Sequence, residues 1–405
     1  MMNRREFCIA VGAASVRAHV LPTMASRASA MNPLITSHEV ARIDHDRILR
    51  AANKYMTQKP ITITAYKSSR SRGDKHAYFS EGDYWWPNPK NPRGPYVRRD
   101  GYSDPANFNS DREALIRFSQ QMPALVAAWL ITREIRYAQH AALHLRAWFL
   151  NPATMMNPSL DYAQAIYGIT PGRGTGIIDT IHLIEVTRAA RHLNKSGALT
   201  SAEVSGLRNW FARYLNWMQT SKNGQEEEAA KNNHGTCWVA QVAAFAALTG
   251  NRQAMILCRD RFKKDLLPTQ LAPNGSFPLE LARTKPYSYS LFNLDMLAVV
   301  CQIASAEDIP EYNLWQFELP NGDRYEKAVD YMLPYIQDKS KWPYKQDVEY
   351  FNDLPNRQPS LLFAGLAYRE PKYIALWRTL PADPKTAEIV RNFPIRQPLL
   401  WVTPV

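Results

Sequence analysis

The side chains best suited to chemistry fall in two short stretches. The first is Lys231-Asn232-Asn233-His234-Gly235-Thr236-Cys237-Trp238, set between the acidic run Glu226 to Ala230 and an apolar run, Val239 to Leu248, that stops at Gly250. Asparagine caps free N–H groups and glycine weakens a helix interior, so a helix is expected to open near Asn233 or His234. Two amides and an imidazole would then stand at the positive end of that helix, where an anion is stabilised. Taken alone, the stretch also fits an ordinary helix cap with a histidine beside it. The second stretch runs from Ser276 to Leu294 and holds Glu280, Arg283, Tyr287 and Tyr289. A phenol is a poor base at its reference pKa of about 10, but a neighbouring guanidinium and an imidazolium favour the phenolate. Amide, imidazole, guanidinium and phenol are the parts that β-elimination on a uronic acid requires. The substrate carboxylate must be neutralised so that its C5 proton becomes acidic. A base takes that proton, and an acid protonates the departing O4.

A third block is Glu81-Gly82-Asp83-Tyr84-Trp85-Trp86-Pro87-Asn88-Pro89, followed by Pro95-Tyr96-Val97-Arg98-Arg99-Asp100-Gly101. With the N-N-H-G-T-C-W stretch, L-E-L-A-R-T and Y-S-L-F-N-L, it resembles the alginate lyase superfamily of bacterial polysaccharide lyases. The likeness is greatest to polysaccharide lyase family 38 and weaker to family 5. It runs from about Ile61 to Leu366. The resemblance implies Asn233 as the carboxylate neutraliser, His234 and Tyr289 as the base and acid, and Arg283 as a support for the carboxylate and the phenol. Of the two phenols, Tyr289 is preferred over Tyr287 because it opens the Y-S-L-F-N-L match. No metal and no other cofactor is called for, because Asn233 and Arg283 can do the neutralising.

These residues need elements to hold them. Residues 61–110 are rich in Pro, Gly, Ser and Asn and read as a long irregular segment, a lid in the expected fold. Tyr84, Trp85 and Trp86 beside Arg98 and Arg99 suit sugar rings that carry carboxylates, because C–H faces stack on aromatics and guanidinium grips carboxylate. The two tryptophans fit equally a role of pinning that segment to the core. From Asp111, read as a cap, the spacing predicts helices over Arg112–Ile131, Arg136–Leu150, Thr180–Leu193, Ser201–Gln219, Asn233–Thr249, Gln253–Leu267, Ser288–Ala304 and Tyr325–Tyr335. The loop Gly168 to Gly176 lacks the Lys-Ser/Thr of a phosphate cradle, and its Arg173 is a candidate cleft residue. Trp238 and Tyr287 are further candidates for contact with the sugar. His140 and His144 share a helix face without a third ligand nearby, so they read as packing. The stripe Leu207, Trp210, Phe211, Tyr214, Trp217 and Met218 reads as core. Periodicity alone gives an all-α chain, with an irregular strap after Leu366. The resemblance implies an incomplete (α/α) toroid of helical hairpins with a long N-terminal lid loop.

The formal charge of +12 favours an acidic partner, and an anionic polysaccharide is the partner expected. The charges are scattered and no nucleic-acid motif is present. No further run of about 20 apolar residues suggests a membrane span. A single catalytic domain over 31–405, acting as a monomer, is the simplest organisation. Two other functions fit the composition: a non-catalytic acidic-glycan-binding protein, and a glycoside hydrolase on the same helical toroid. The hydrolase needs two carboxylates across a cleft, and Asp161, Asp179, Glu280 and Asp295 are available. At the N-terminus, Arg4-Arg5 precede a short apolar run, and Ala28-Ser29-Ala30 offers a cleavage site. Residues 1–30 therefore read as a twin-arginine export signal, giving a periplasmic or secreted protein. Cleavage would remove Cys8 and leave Cys237, Cys258 and Cys301, an odd set with no metal spacing. On this reading Arg4→Lys with Arg5→Lys keeps the protein in the cytoplasm, as fractionation and immunoblotting would register. Normal periplasmic amounts of the double variant would contradict it.

Overall fold

Apolar side chains at helical spacing cover most of the chain, and helices follow. The structure is a computed structural model that describes residues 34–306 and 309–405, so the export signal lies outside the described residues. Pro33–Val405 form one unit. Its helices are α1 (Ser37–Tyr55), α2 (Ser110–Thr132), α3 (Ile135–Leu145), α4 (Leu183–Leu193), α5 (Ser201–Thr220), α6 (Lys222–Glu228), α7 (Asn233–Thr249) and α8 (Arg252–Arg261). They continue with α9 (Leu267–Gln270), α10 (Pro278–Leu281), α11 (Pro286–Ala304), α12 (Glu326–Gln337), α13 (Pro359–Ala367), α14 (Pro371–Thr379), α15 (Ala387–Arg391) and α16 (Pro398–Val402). Sequence neighbours pack as hairpins, among them α1 on α2, α2 on α3, α7 on α8 and α13 on α14. Left-handed residues turn two of these corners: Arg133 (φ 60°) after α2 and Gly250 (φ 76°) after α7. The hairpins assemble around α7 and α11, which pack on each other and are buried over most of their length. Such all-round burial makes them the hub against which the amphipathic helices lay their apolar faces.

The predicted helices agree in place, with differences at their ends. The cap of α2 is Asn109. Asp111 points away from the helix end and accepts the Phe79 N–H (2.9 Å). The stretch expected to be helical from Thr180 begins as a 3₁₀ segment, Gly174–Thr180, ahead of α4. Helix α1, closed at its start by a Thr36–Glu39 capping box, has no counterpart among the predicted helices. Helix α2 is long and apolar enough to cross a membrane by length and composition, but most of it is buried inside this fold. The aromatic stripe of α5 is core, with Trp217 half-buried at its edge. Cys237, Cys258 and Cys301 are buried free thiols.

Little strand structure appears among the described residues. β1 (Phe79–Glu81) pairs in parallel with β4 (Tyr162–Ala165), and β2 (Trp85–Trp86) pairs antiparallel with β3 (Val97–Arg98). These two pieces brace the irregular segment before α2. The C-terminal residues do form a strap. Glu185, fully buried on α4, accepts hydrogen bonds from the N–H groups of Arg396 (3.0 Å) and Gln397 (2.8 Å) and from Trp401 Nε1 (3.1 Å). Arg188 and His192 hold the Leu400 carbonyl at 2.8 Å each. A buried donor left without its acceptor costs about 1–3 kcal/mol. Glu185→Leu strands three, so urea denaturation should show a loss on the order of 3 kcal/mol or more. A loss under about 1 kcal/mol would mean the strap is held by apolar packing alone.

Candidate active site

The start of α7 carries the first half of the site. Asn232 is the N-cap, and its side chain accepts the His234 N–H at 3.3 Å. The Asn233 N–H donates to Glu280 Oε1 (2.8 Å) and its Nδ2 to Glu280 Oε2 (2.6 Å). The helix end expected to receive an outside anion is thus already filled by the protein's own carboxylate. Burial pushes the Glu280 carboxyl up, and the two bonds from Asn233 oppose that rise. With both oxygens of Glu280 engaged, the amide of Asn233 has one orientation. His234 Nδ1 lies 2.6 Å from Glu227 Oε1, and Glu227 is buried. A carboxylate only accepts, so Nδ1 is the donor to Glu227 and Nε2 is the nitrogen left for another partner. Gly235 is required here by close approach: a Cβ would lie 2.1 Å from the Ala230 carbonyl oxygen.

The second half comes from the turn after α10 and the first turn of α11. Arg283 Nη2 donates to Asp100 Oδ1 (3.0 Å) and to Tyr289 Oη (3.2 Å), and its guanidinium lies 4.2 Å from the Tyr289 ring centre. Asp100 also accepts from Thr284 Oγ1 (2.9 Å) and pairs with Arg98 (2.6 Å). Burial would raise the Asp100 carboxyl, but the Arg283 and Thr284 hydrogen bonds bring it down to about 2. Tyr289 Oη is 2.9 Å from Tyr84 Oη. Burial first, and then Tyr84, push the Tyr289 phenol well above its ordinary value; Arg283 pulls the other way and loses. The phenolate expected from sequence is therefore not the resting state, in which Tyr289 is neutral.

Asn233, His234, Arg283, Tyr289, Tyr84, Trp85 and Arg173 line one cavity of about 270 Å³. Five guanidiniums line it, those of Arg98, Arg112, Arg173, Arg283 and Arg391, against the two carboxylates of Asp83 and Asp179. Arg112 pairs with both acids, at 2.5 Å and 3.1 Å. Asp179 also accepts from Tyr78, Ser80 and Gln164. Burial would raise Asp83, but Arg112 and then Arg391 hold it below the usual carboxylate range. The Arg173 guanidinium donates to Gln164, to its carbonyl (3.1 Å) and its side chain (2.7 Å), with no carboxylate within ion-pair distance among the described residues. Arg391, from the C-terminal strap, reaches Asp83 Oδ2 (2.5 Å) and Glu388 (2.7 Å). Glu388 in turn holds Lys285 (3.2 Å), so the strap is tied to the start of α11 as well.

Comparison with known proteins bears on the family and the fold. The family model for alginate lyase matches residues 62–342. The chain belongs to the alginate lyase family. A solved alginate lyase from Bacteroides ovatus superposes with a TM-score of 0.78 at 30% identity, over 92% of this chain and 99% of that one. Alginate lyase A1-III from Sphingomonas species A1 shares the fold at a TM-score of 0.50 and 13% identity, over 84% and 88% of the two chains. A variant of A1-III complexed with a tetrasaccharide gives 0.51 at 14% identity, over 83% and 87%. The protein is accordingly a polysaccharide lyase on an (α/α) toroid. A search of curated proteins gives no match.

Three residues expected at the sugar are not in the lyase's cleft. Trp238 is fully buried one turn further along α7 and donates to the Met218 carbonyl (3.2 Å). Tyr287 is also fully buried. Its hydroxyl donates to the Tyr335 carbonyl (3.0 Å) and its ring packs edge-on to Trp342 and Phe351. Trp86 pins the loop, with Nε1 on the Tyr102 carbonyl (2.9 Å) and Arg99 over its ring at 4.7 Å. Of the carboxylates weighed for hydrolysis, Asp161 is exposed and accepts from Trp217 Nε1, while Asp295 is buried against Ser360. Glu280 and Asp179 are engaged as described, so no free acid pair faces the cavity among the described residues. Glu227, Asp100 and Arg391 are absent from the residues expected at the site, and Glu280 is expected there only as a hydrolase carboxylate, not as the partner of Asn233. Glu280 and Asp100 sit inside motifs that were singled out, whereas Arg391 carries no local signal. Tyr287→Phe removes one buried hydrogen bond, so it should cost about 1 kcal/mol in urea denaturation and leave kcat and KM unchanged. Loss of turnover in that variant would restore Tyr287 as a candidate phenol.

Proposed function

We propose that this lyase cleaves a polyuronate of the alginate or glucuronan type by β-elimination and leaves a 4,5-unsaturated uronate at the new end. The observation that carries the reading is the meeting of Asn233, His234, Arg283 and Tyr289 on one cationic cavity. The Asn233 amide, fixed by Glu280, donates to the uronate carboxylate and to the enediolate that forms from it. Arg283 supports that charge, and Arg173, without a carboxylate at ion-pair distance among the described residues, takes a neighbouring one. The C5–H bond breaks toward a base, and its electron pair passes into the enediolate. That pair becomes the C4–C5 double bond as the C4–O4 bond breaks, and O4 takes a proton from an acid. His234 Nε2 is oriented as base and the neutral Tyr289 hydroxyl as acid, which suits a C5 proton and O4 on opposite faces, as in guluronate. For mannuronate and glucuronate the two lie on one face. There Tyr289 first loses its proton to solvent, with Arg283 stabilising the phenolate, and the phenol re-formed by taking the C5 proton then gives it to O4. Tyr84 and Trp85 wall the sugar. Residues 31–405 serve as the single catalytic domain, and the arginine pair at the N-terminus sends it to the periplasm.

The test is a panel of mannuronan, guluronan and glucuronan followed by the ultraviolet absorbance of the unsaturated product. Tyr289→Phe keeps the ring and should abolish turnover on every substrate cut. Asn233→Ala should lower turnover by about 10²–10³, the worth of one oxyanion-type donor. His234→Ala should hurt guluronate bonds most. Near-wild-type turnover in folded Tyr289→Phe and Asn233→Ala would remove both residues from the mechanism.

A further inference from the structure

A second groove lies on the other face of the β1–β4 pair. Ser80 points from β1 to Asp179 in the main cleft, while its neighbours Phe79 and Glu81 line a separate open depression of about 470 Å³. Two arginines stand in this groove. Arg70 Nη1 is held by the buried Glu81 carboxylate (3.0 Å) and donates to Tyr96 Oη (3.2 Å), so the guanidinium is fixed while Nε and Nη2 stay open among the described residues. Arg72 is exposed and has no hydrogen bond or ion pair among the described residues. Beside them Tyr167 is 45% exposed, its ring 5.4 Å from that of Tyr96, and Ile169 is 55% exposed. Large side chains left open next to one anchored guanidinium and one exposed one are a surface for a ligand with both apolar faces and negative charge.

One stretch of chain runs from the groove to the main cleft. The Tyr96 N–H donates to the Tyr167 carbonyl (3.1 Å), and Tyr96 lies two residues before Arg98, which lines the cavity. Residues two apart on an extended chain share a face and are roughly 7 Å apart. A ligand leaving the cavity past Arg98 meets Tyr96, then Tyr167 and Arg70. We propose that this groove is a distal subsite that binds uronate units of the same polymer beyond those in the cavity. The proposal rests on the polyuronate reading of the main cleft. The sugar rings lie on Tyr167, and their carboxylates meet Arg70 and Arg72.

Arg72→Ala and Tyr167→Ala test it, because neither side chain holds the fold, whereas loss of Arg70 would strand the buried Glu81. KM and kcat are measured by unsaturated-product absorbance on a long polyuronate and on its trisaccharide. Each variant should raise KM for the long chain by roughly two- to fivefold, the worth of one exposed contact, with kcat unchanged and the trisaccharide constants unchanged. Unchanged KM on the long chain overturns the subsite. An equal rise on the trisaccharide overturns it as well, because the residues would then act in the cavity itself. Absence of product from the wild-type protein on every polyuronate is a separate outcome that overturns the lyase reading and the subsite together.

Discussion

A carboxylate taken out of water is costly unless its oxygens are hydrogen-bonded, and Glu280 is 1% exposed. Both of its oxygens meet Asn233, one through the backbone and one through the side-chain amide. That pair of bonds locks the first residue of α7 to α10, and the rest of the site follows from the lock. Arg283 is on the turn directly after α10, and Tyr289 is one turn into α11, which packs along α7. Fixing α10 against α7 therefore fixes the distance between the amide and imidazole on one side and the guanidinium and phenol on the other. Glu227 repeats the device for His234 from α6. Two buried acids thus orient the two groups that sequence alone would leave free to rotate.

The same economy of charge explains the cavity. Asp83 and Asp179 are consumed by Arg112, and Asp83 by Arg391 as well, so the acids that line the cavity serve to hold arginines in place. What remains uncompensated is positive, and Arg173 is its clearest part. Burial of Tyr289 beside Tyr84 keeps the phenol protonated at rest, so the site as it stands is a cationic, proton-donating one. An incoming carboxylate meets fixed donors, which need no reorganisation at the moment charge develops.

The helix containing Asn233 was legible to within a residue because its signals are local: an asparagine cap before it, a glycine that would weaken a helix interior, and Gly250 past its end. The toroid was legible through its motifs and not through periodicity, which gives helices without their closure. Two of the misplaced residues, Tyr287 and Trp238, lie on helices, and helix geometry displaces both. Tyr287 and Tyr289 are two apart on a helix that turns about 100° per residue, so one faces the cleft and the other the core; periodicity does not say which, and only the Y-S-L-F-N-L match points to Tyr289. Trp238 follows His234 by one turn, and that turn carries it beneath the cleft. Arg391 and Glu388 reach the site from the strap, across contacts so distant in sequence that no spacing could announce them. The phenolate expectation failed because it counted charges and not burial.

A uronate carboxylate on the Glu280-held amide of Asn233, with its C4–C5 bond between His234 and Tyr289, is the arrangement on which the mechanism stands or falls. A crystal structure of the Tyr289→Phe variant with a short oligouronate would show it. A carboxylate oxygen should lie about 2.7–3.1 Å from Asn233 Nδ2. The C4–C5 bond should lie between His234 Nε2 and the edge of the phenyl ring that Tyr289→Phe leaves in place. An oligouronate whose carboxylates pair with Arg173 or Arg98 while Asn233 stays unliganded would refute the arrangement.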